Sequence, residues 1–118
     1  TGLMMGLAGA ITTRTGKVLI MITGNGANNT INDGYKVRIR YGTGSAPANA
    51  AALTGTAVGT IAEGTNDIAA NAKSPFSLTA IATGLTLDTA YWLDVELAAV
   101  TAGTASITDV NVAAVDIP

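Results

Sequence analysis

Hydrophobic and polar positions along this chain alternate in short runs, separated by punctuation rich in Gly, Asn, Asp and Thr. That is the period-two signature of half-buried strands. "YKVRIRY", Tyr35 to Tyr41, alternates strictly: Val37 and Ile39 fall on one face, Lys36, Arg38 and Arg40 on the other. In the run from Ala90 to Ala99, Tyr91, Leu93, Val95 and Leu97 share one face, and Trp92, Asp94 and Glu96 the other. "KVLIMIT", Lys17 to Thr23, is apolar at nearly every position, which predicts a strand buried on both sides. Further strands are expected at Met4 to Thr12, around Thr54 to Ile61, and at Phe76 to Ala82, Thr104 to Thr108 and Val110 to Ile117.

The intervening segments read as turns and loops. "GNGANNTINDG", residues 24–34, is built from residues that tolerate left-handed backbone and predicts an exposed loop. "TAG" at 101–103 predicts a tight hairpin between the strand from Ala90 and the strand from Thr104. Residues 42–75 are rich in Ala, Thr and Gly and weakly patterned, and Gly and Pro on their flanks argue against a long helix. The sum is about eight strands and almost no helix: an all-β antiparallel sandwich, with residues 1–118 forming one domain.

One pairing can be anticipated from charge. If the strand of Lys36, Arg38 and Arg40 neighbours that of Asp94 and Glu96, the basic and acidic ladders face each other and help to set register.

Composition changes the picture in one respect. Charged residues are 12% of the chain, against about 25% in an average soluble protein. Mean hydropathy is +0.41. A surface so poor in ions is best hidden against other copies or other subunits, so an oligomer or assembly component is expected. The net charge of −2 gives no bulk attraction to nucleic acid or to an anionic membrane. The longest run of large apolar residues, Val18 to Ile22, is far short of the ~18 needed to span a bilayer. No basic leader precedes the apolar start, so no signal peptide is expected.

The absence of Cys and His removes thiol chemistry, disulfides, the commonest general base and the commonest transition-metal ligand. No enzyme activity, cofactor or metal is therefore expected. Asn25, Asn28, Asn29, Asn32 and Asp33 offer oxygen ligands for Ca²⁺, but only one of them is charged and their spacing is not that of an EF-hand. Asn28-Asn29-Thr30 fits a glycosylation sequon, meaningful only in a secretory pathway. "GTGSAP" and "GTAVGT" lack the Lys-Ser/Thr of a phosphate loop. Asp94 and Glu96, about 6–7 Å apart as i, i+2 neighbours on a strand, are spaced like a glycosidase pair. Beside a Lys/Arg ladder they read instead as charge complements. Trp92, the only Trp, would stack on a sugar if exposed; packing at a sheet edge or subunit contact is the plainer expectation.

"LTLDTAY", Leu85 to Tyr91, resembles the tyrosine corner of fibronectin type III domains, which implies that the Tyr91 hydroxyl bonds back to the backbone near Leu85. The other marks of that family, a Trp in the second strand and a Pro-rich opening, are absent. A broader resemblance runs through "MMGLAGAITTRTGKVLIMITGN", "VRIRYGTGSAPANAAALTGTAVG" and "PFSLTAIATGLTLDTAYWLDVELAAVTAGTASITDVNVAAVDI". Over these stretches the chain resembles small bacteriophage virion proteins with a jelly-roll fold related to tumour-necrosis-factor-like trimers. The resemblance implies a homotrimer with one sheet facing the threefold axis, and the first strand, Met4 to Thr12, paired with the last, Val110 to Ile117. It implies a structural role on the virion surface, with the major capsid protein or other virion proteins as partners.

If the 118 residues are the whole protein, there is no shaft for a fibre, and a capsid decoration or cement protein is expected. The alternative is the knob of a tail or head fibre that binds host glycans. Lys36, Arg38, Arg40, Trp92, Asp94 and Glu96 are the candidate interface or register residues, and Leu85 with Tyr91 the candidate corner.

Overall fold

A computed structural model describes residues 2–66 and 68–118. Among them are eight strands: β1 (Leu3–Met4), β2 (Gly9–Thr12), β3 (Val18–Asn28), β4 (Gly34–Gly42), β5 (Thr56–Thr65), β6 (Ser74–Ala82), β7 (Ala90–Ala99) and β8 (Ala105–Asp116). They form two antiparallel sheets. In the larger, β7 is flanked by β1 and β2 on one edge and by β4 on the other, and β5 closes the far side; the smaller has the order β6-β3-β8. Partners nest in sequence: β4 with β5, β3 with β6, β2 with β7.

Alternation fills the space between the sheets. Val18, Ile20 and Ile22 of β3 meet Tyr35, Val37 and Ile39 of β4; Phe76, Leu78, Ala80 and Ala82 of β6 and Leu93, Val95 and Leu97 of β7 complete the buried cluster. Tyr35 sits edge-on to Phe76, 6.1 Å between ring centres, and its hydroxyl donates to the Ser74 carbonyl at 2.8 Å. A buried phenol thus keeps a partner for its polar end.

Several expectations from the sequence are corrected. The first strand is not continuous. Gly6 and Ala8 adopt left-handed backbone (φ 70° and 55°), so residues 6–8 leave the ladder between β1 and β2, while the Met5 N–H still donates to the Val95 carbonyl at 3.2 Å. Nor does it pair with the last strand. Both pieces bond to β7, and β2 only packs beside β8, where a Cβ on Gly9 would lie 2.9 Å from Val112 Cγ1.

The strands expected at Thr104–Thr108 and Val110–Ile117 are one strand, β8, with Asp109 (φ 55°) at an irregularity that shifts its register on β3. The total of eight therefore coincides with expectation only because one expected strand divides and two merge. Residues 101–103 do not close a hairpin either: β7 and β8 lie in different sheets, so the connection crosses from one to the other.

β3 is buried on one face only. Val18, Ile20 and Ile22 are fully buried, whereas Met21 on the other face is 39% exposed. β3 also runs on to Asn28, well into the segment expected to be loop.

Ile22, with no exposure at the centre of β3, should be among the least replaceable side chains. Ile22→Ala is expected to lower unfolding free energy by about 2–5 kcal/mol through lost transfer energy and the cavity left behind. Urea denaturation followed by circular dichroism measures it.

Candidate functional site

The sandwich presents two outer faces of opposite character. On the larger sheet, β4 and β7 are neighbours, with their basic and acidic residues facing each other: Arg38 lies opposite Glu96, and Arg40 opposite Asp94. Lys36, Arg38, Arg40, Glu63, Asp94 and Glu96 all fall on this outer face, nearly half of the six basic and eight acidic residues of the chain.

The chemistry between them is less direct than a ladder. Arg40 Nε lies 3.5 Å from Glu96 Oε2, close enough for Coulombic attraction but without hydrogen-bond alignment. Its Nη1 donates to the Thr54 and Gly55 carbonyls at 3.2 and 3.4 Å. Arg38 Nε donates to the Gly59 carbonyl at 2.9 Å, inside a bulge where residues 59–61 of β5 stand opposite Arg38 alone. Lys36 and Glu63 form a loose pair at 4.0 Å, exposed and worth at most about 1 kcal/mol.

Among the described residues, Asp94 pairs with no cation. It is completely buried, and its carboxylate accepts from the Gly6, Leu7 and Val95 N–H groups at 2.9, 3.2 and 2.8 Å. It thereby captures the segment that left the ladder between β1 and β2. A carboxylate filled by three backbone donors and a neighbour turned to Arg40 do not make a glycosidase pair.

Trp92 is also enclosed. The 43–55 loop folds over it, and its Nε1 donates to the Thr43 carbonyl at 3.2 Å. A Cβ on Gly42 or Gly55 would come within 2.6 or 2.5 Å of its ring, and Gly55 in addition has φ +74°, so both positions demand glycine. With 6% of its surface exposed, Trp92 presents no ring face for a sugar.

Beside it opens a cleft of about 520 Å³, lined by Tyr41, Ser45, Thr54, Thr56 and Thr86 and floored by Tyr91 and Trp92. The corner expected at Leu85 and Tyr91 is present: Tyr91 Oη accepts the Thr86 N–H at 2.9 Å, and the Leu85 N–H donates to the Gly16 carbonyl.

The outer face of the smaller sheet carries a single carboxylate, that of Asp109, which accepts from the Asn25 side chain near one end. β3 and β6 contain no Asp, Glu, Lys or Arg. β8 contains Asp109, at its irregularity, and Asp116, whose carboxylate is turned away to the 13–15 loop.

Two loop clusters tie the ends of the sandwich together. At one end the segment expected to be an exposed loop is exposed only at residues 29–32, and Asn28 and Asp33 on either side of that turn belong to a buried polar knot. Asn28 is fully buried; its Nδ2 donates to the Gly34 and Ala102 carbonyls at 2.8 and 2.9 Å, and its Oδ1 accepts from Thr30 N–H. Asp33 accepts from the N–H groups of Gly34, Thr101 and Ala102. The bond from Gly34 first, then those from Thr101 and Ala102, hold its carboxyl below the usual carboxylate range against the opposing effect of burial.

Asn66, a residue that sequence reasoning passed over in "GTNDI", is 3% exposed and bonds Asn28, Thr30 and Ala69. Asn25 and Asn32 do not converge with Asp33: Asn25 binds Asp109, and Asn32 donates its N–H to the Asn66 carbonyl. Among the described residues, no group of three His, Cys, Asp or Glu side chains gathers to hold a metal ion.

At the other end Asp116 accepts from Thr13 Oγ1 at 2.7 Å, from the Arg14 N–H and from Thr15 Oγ1, and the first of these lowers its pKa most.

Comparison with protein-family models, with curated proteins and with solved structures finds no match to this chain.

Asp94→Ala should strand the Gly6 and Leu7 N–H groups and cost about 1–3 kcal/mol in urea denaturation, with faster backbone hydrogen exchange confined to residues 5–8. Asp33 and Asp116 have folded pKa values below their ordinary value of 3.8. The stability they contribute is present above that value and is lost as pH falls through the folded pKa values. The urea midpoint should therefore be flat from pH 7 to about 5 and drop below about pH 4. The drop should be smaller in Asp33→Asn and in Asp116→Asn than in the parent.

Proposed function

We propose that this protein is a structural subunit that works by surface adhesion and performs no chemistry: a jelly-roll-type sandwich of a bacteriophage virion, forming a homotrimer that decorates and stabilises the capsid. The observation that carries this reading is the unequal division of charge between the two outer faces. A monomer in water gains from ions on both. Here one sheet holds three cations and two acids, Glu63 and Glu96, outside, with Asp94 buried among them, while the two strands β3 and β6 of the other hold none. A face poor in ions suits sister copies, and a charged face suits a second, different partner such as the shell.

The nested pairing of β4 with β5, β3 with β6 and β2 with β7 supports the jelly-roll reading, because a long hairpin rolled into two sheets pairs its strands in that way. The outermost pair departs from the scheme, since β1 continues along β7 instead of lining β8. The resemblance to small virion proteins supplies the context. Binding confined to the assembled shell would oppose disassembly by mass action.

One observation favours a second reading, a glycan-binding knob: the cleft beside Tyr41, where Ser45, Thr54, Thr56 and Thr86 supply hydroxyls around aromatic rings. Sugar sites combine these two kinds of group.

Native mass spectrometry of the protein, alone and mixed with emptied phage capsids, is the test. The decoration reading expects a trimer that co-sediments with capsids and is silent on a glycan array. A glycan signal abolished by Thr86→Trp, which would fill the cleft, favours the knob. A monomer that binds neither overturns both.

A further inference from the structure

We infer that the outer face of the β6-β3-β8 sheet is the surface through which copies of this chain associate. The inference rests on the adhesive reading above and assigns it a place.

The register of the sheet defines the face row by row. Ile81, Leu19 and Val115 lie side by side across the three strands; the next row is Thr79, Met21 and Ala113, and the next Ser77, Thr23 and Asn111. Ile81 and Val115 are each 52% exposed and Met21 39%. The first row is wholly apolar, the second is Thr, Met and Ala, and the third is entirely hydroxyl and amide. No row contains an ion. The nearest charges, Lys17 and Asp109, stand outside the rows at opposite ends.

Two features point to another copy of the same face as the occupant. Bringing copies of this face together around a threefold axis buries no charge from the three rows, so the usual obstacle to self-association is missing there. Ser, Thr and Asn each donate and accept, so the polar rows of neighbouring copies can satisfy one another where the faces meet around a threefold axis, which rows of carboxylates or ammonium groups cannot. The opposite sheet offers no such surface: Lys36, Arg38 and Arg40 project from it, and the 43–55 loop lies over part of it.

Size sets the strength expected. Three strands about 4.8 Å apart and three to four rows about 6.7 Å apart give a face on the order of 300–400 Å². That is about half of the ~800 Å² per partner of a standard interface. The association therefore belongs to the weak class unless the rims join in, and mass must be followed over a range of concentrations.

Sedimentation equilibrium from roughly 10 µM to 1 mM compares the parent with Met21→Arg and Ile81→Arg, which place a cation in the face, and with Ile61→Arg, a control at an exposed apolar residue (53%) on the opposite sheet. Circular dichroism and urea midpoints establish that each variant is folded; Ile81→Arg decides the outcome if Met21→Arg is not.

The inference expects a multimer of the 11.7 kDa chain for the parent and for Ile61→Arg, and a monomer at every concentration for the two face variants. A multimeric parent whose face variants remain multimeric overturns the placement and leaves the adhesive reading standing. Dissociation by Ile61→Arg as well also overturns the placement. A monomeric parent throughout the range overturns the placement and the homotrimer together.

Discussion

Burial of β7 on both of its faces is the constraint around which the rest of the molecule is arranged. Its inner side chains, Leu93, Val95 and Leu97, belong to the core between the sheets. Its outer side chains include a Trp at 6% exposure and an Asp at none. A strand covered in this way needs partners on both edges and a lid on its outer face. The edges are filled by β4 on one side and by β1 and β2 on the other. The lid is the 43–55 loop, which Gly42 and Gly55 allow to approach the indole closely.

Three aspartates solve the same problem at three places. Asp94, Asp33 and Asp116 each spend their oxygens mainly on backbone N–H and hydroxyl donors that no strand ladder satisfies. Each joins segments far apart in the chain: residues 6–7 to 94, 33 to 101–102, and 13–15 to 116. A chain poor in ions thus uses much of its acidic complement as internal fasteners. Charge-assisted bonds to backbone donors are stronger than neutral ones, so few are needed. The amides of Asn28 and Asn66 extend the same device at the loop end nearest Asp33.

The unequal outer faces follow from this economy. Once Asp33, Asp94 and Asp116 are committed to loops, the ions left on strands, Asp109 of β8 excepted, gather on β4, β5 and β7. Arg38 and Arg40 serve the chain's own carbonyls, and Arg40 also lies against the Glu96 carboxylate. The β6-β3-β8 sheet is left with an outer surface of aliphatic, hydroxyl and amide groups. In a chain with mean hydropathy of +0.41, that surface is where the excess apolar character comes to lie.

What the sequence determined by itself was local. Period-two alternation set the strands from Tyr35, Phe76 and Ala90 and told their inner faces from their outer ones. Complementary charges on the strands of Lys36, Arg38 and Arg40 and of Asp94 and Glu96 pointed to the two as neighbours, which β4 and β7 are, and "LTLDTAY" pointed to the turn where Tyr91 Oη accepts from Thr86. These signals are contained in a few consecutive residues or in one pair of complementary strands. Only the tertiary structure decided which edge the first strand would join, that residues 105–116 would form a single strand, and that Asn28, Asp33 and Asn66 would be buried. Those outcomes depend on hydrogen bonds between residues as much as 88 positions apart. An Asn or Asp looks the same in the sequence whether its partners are water or the backbone of a distant loop, so the choice is made only when the sheets close and water is excluded.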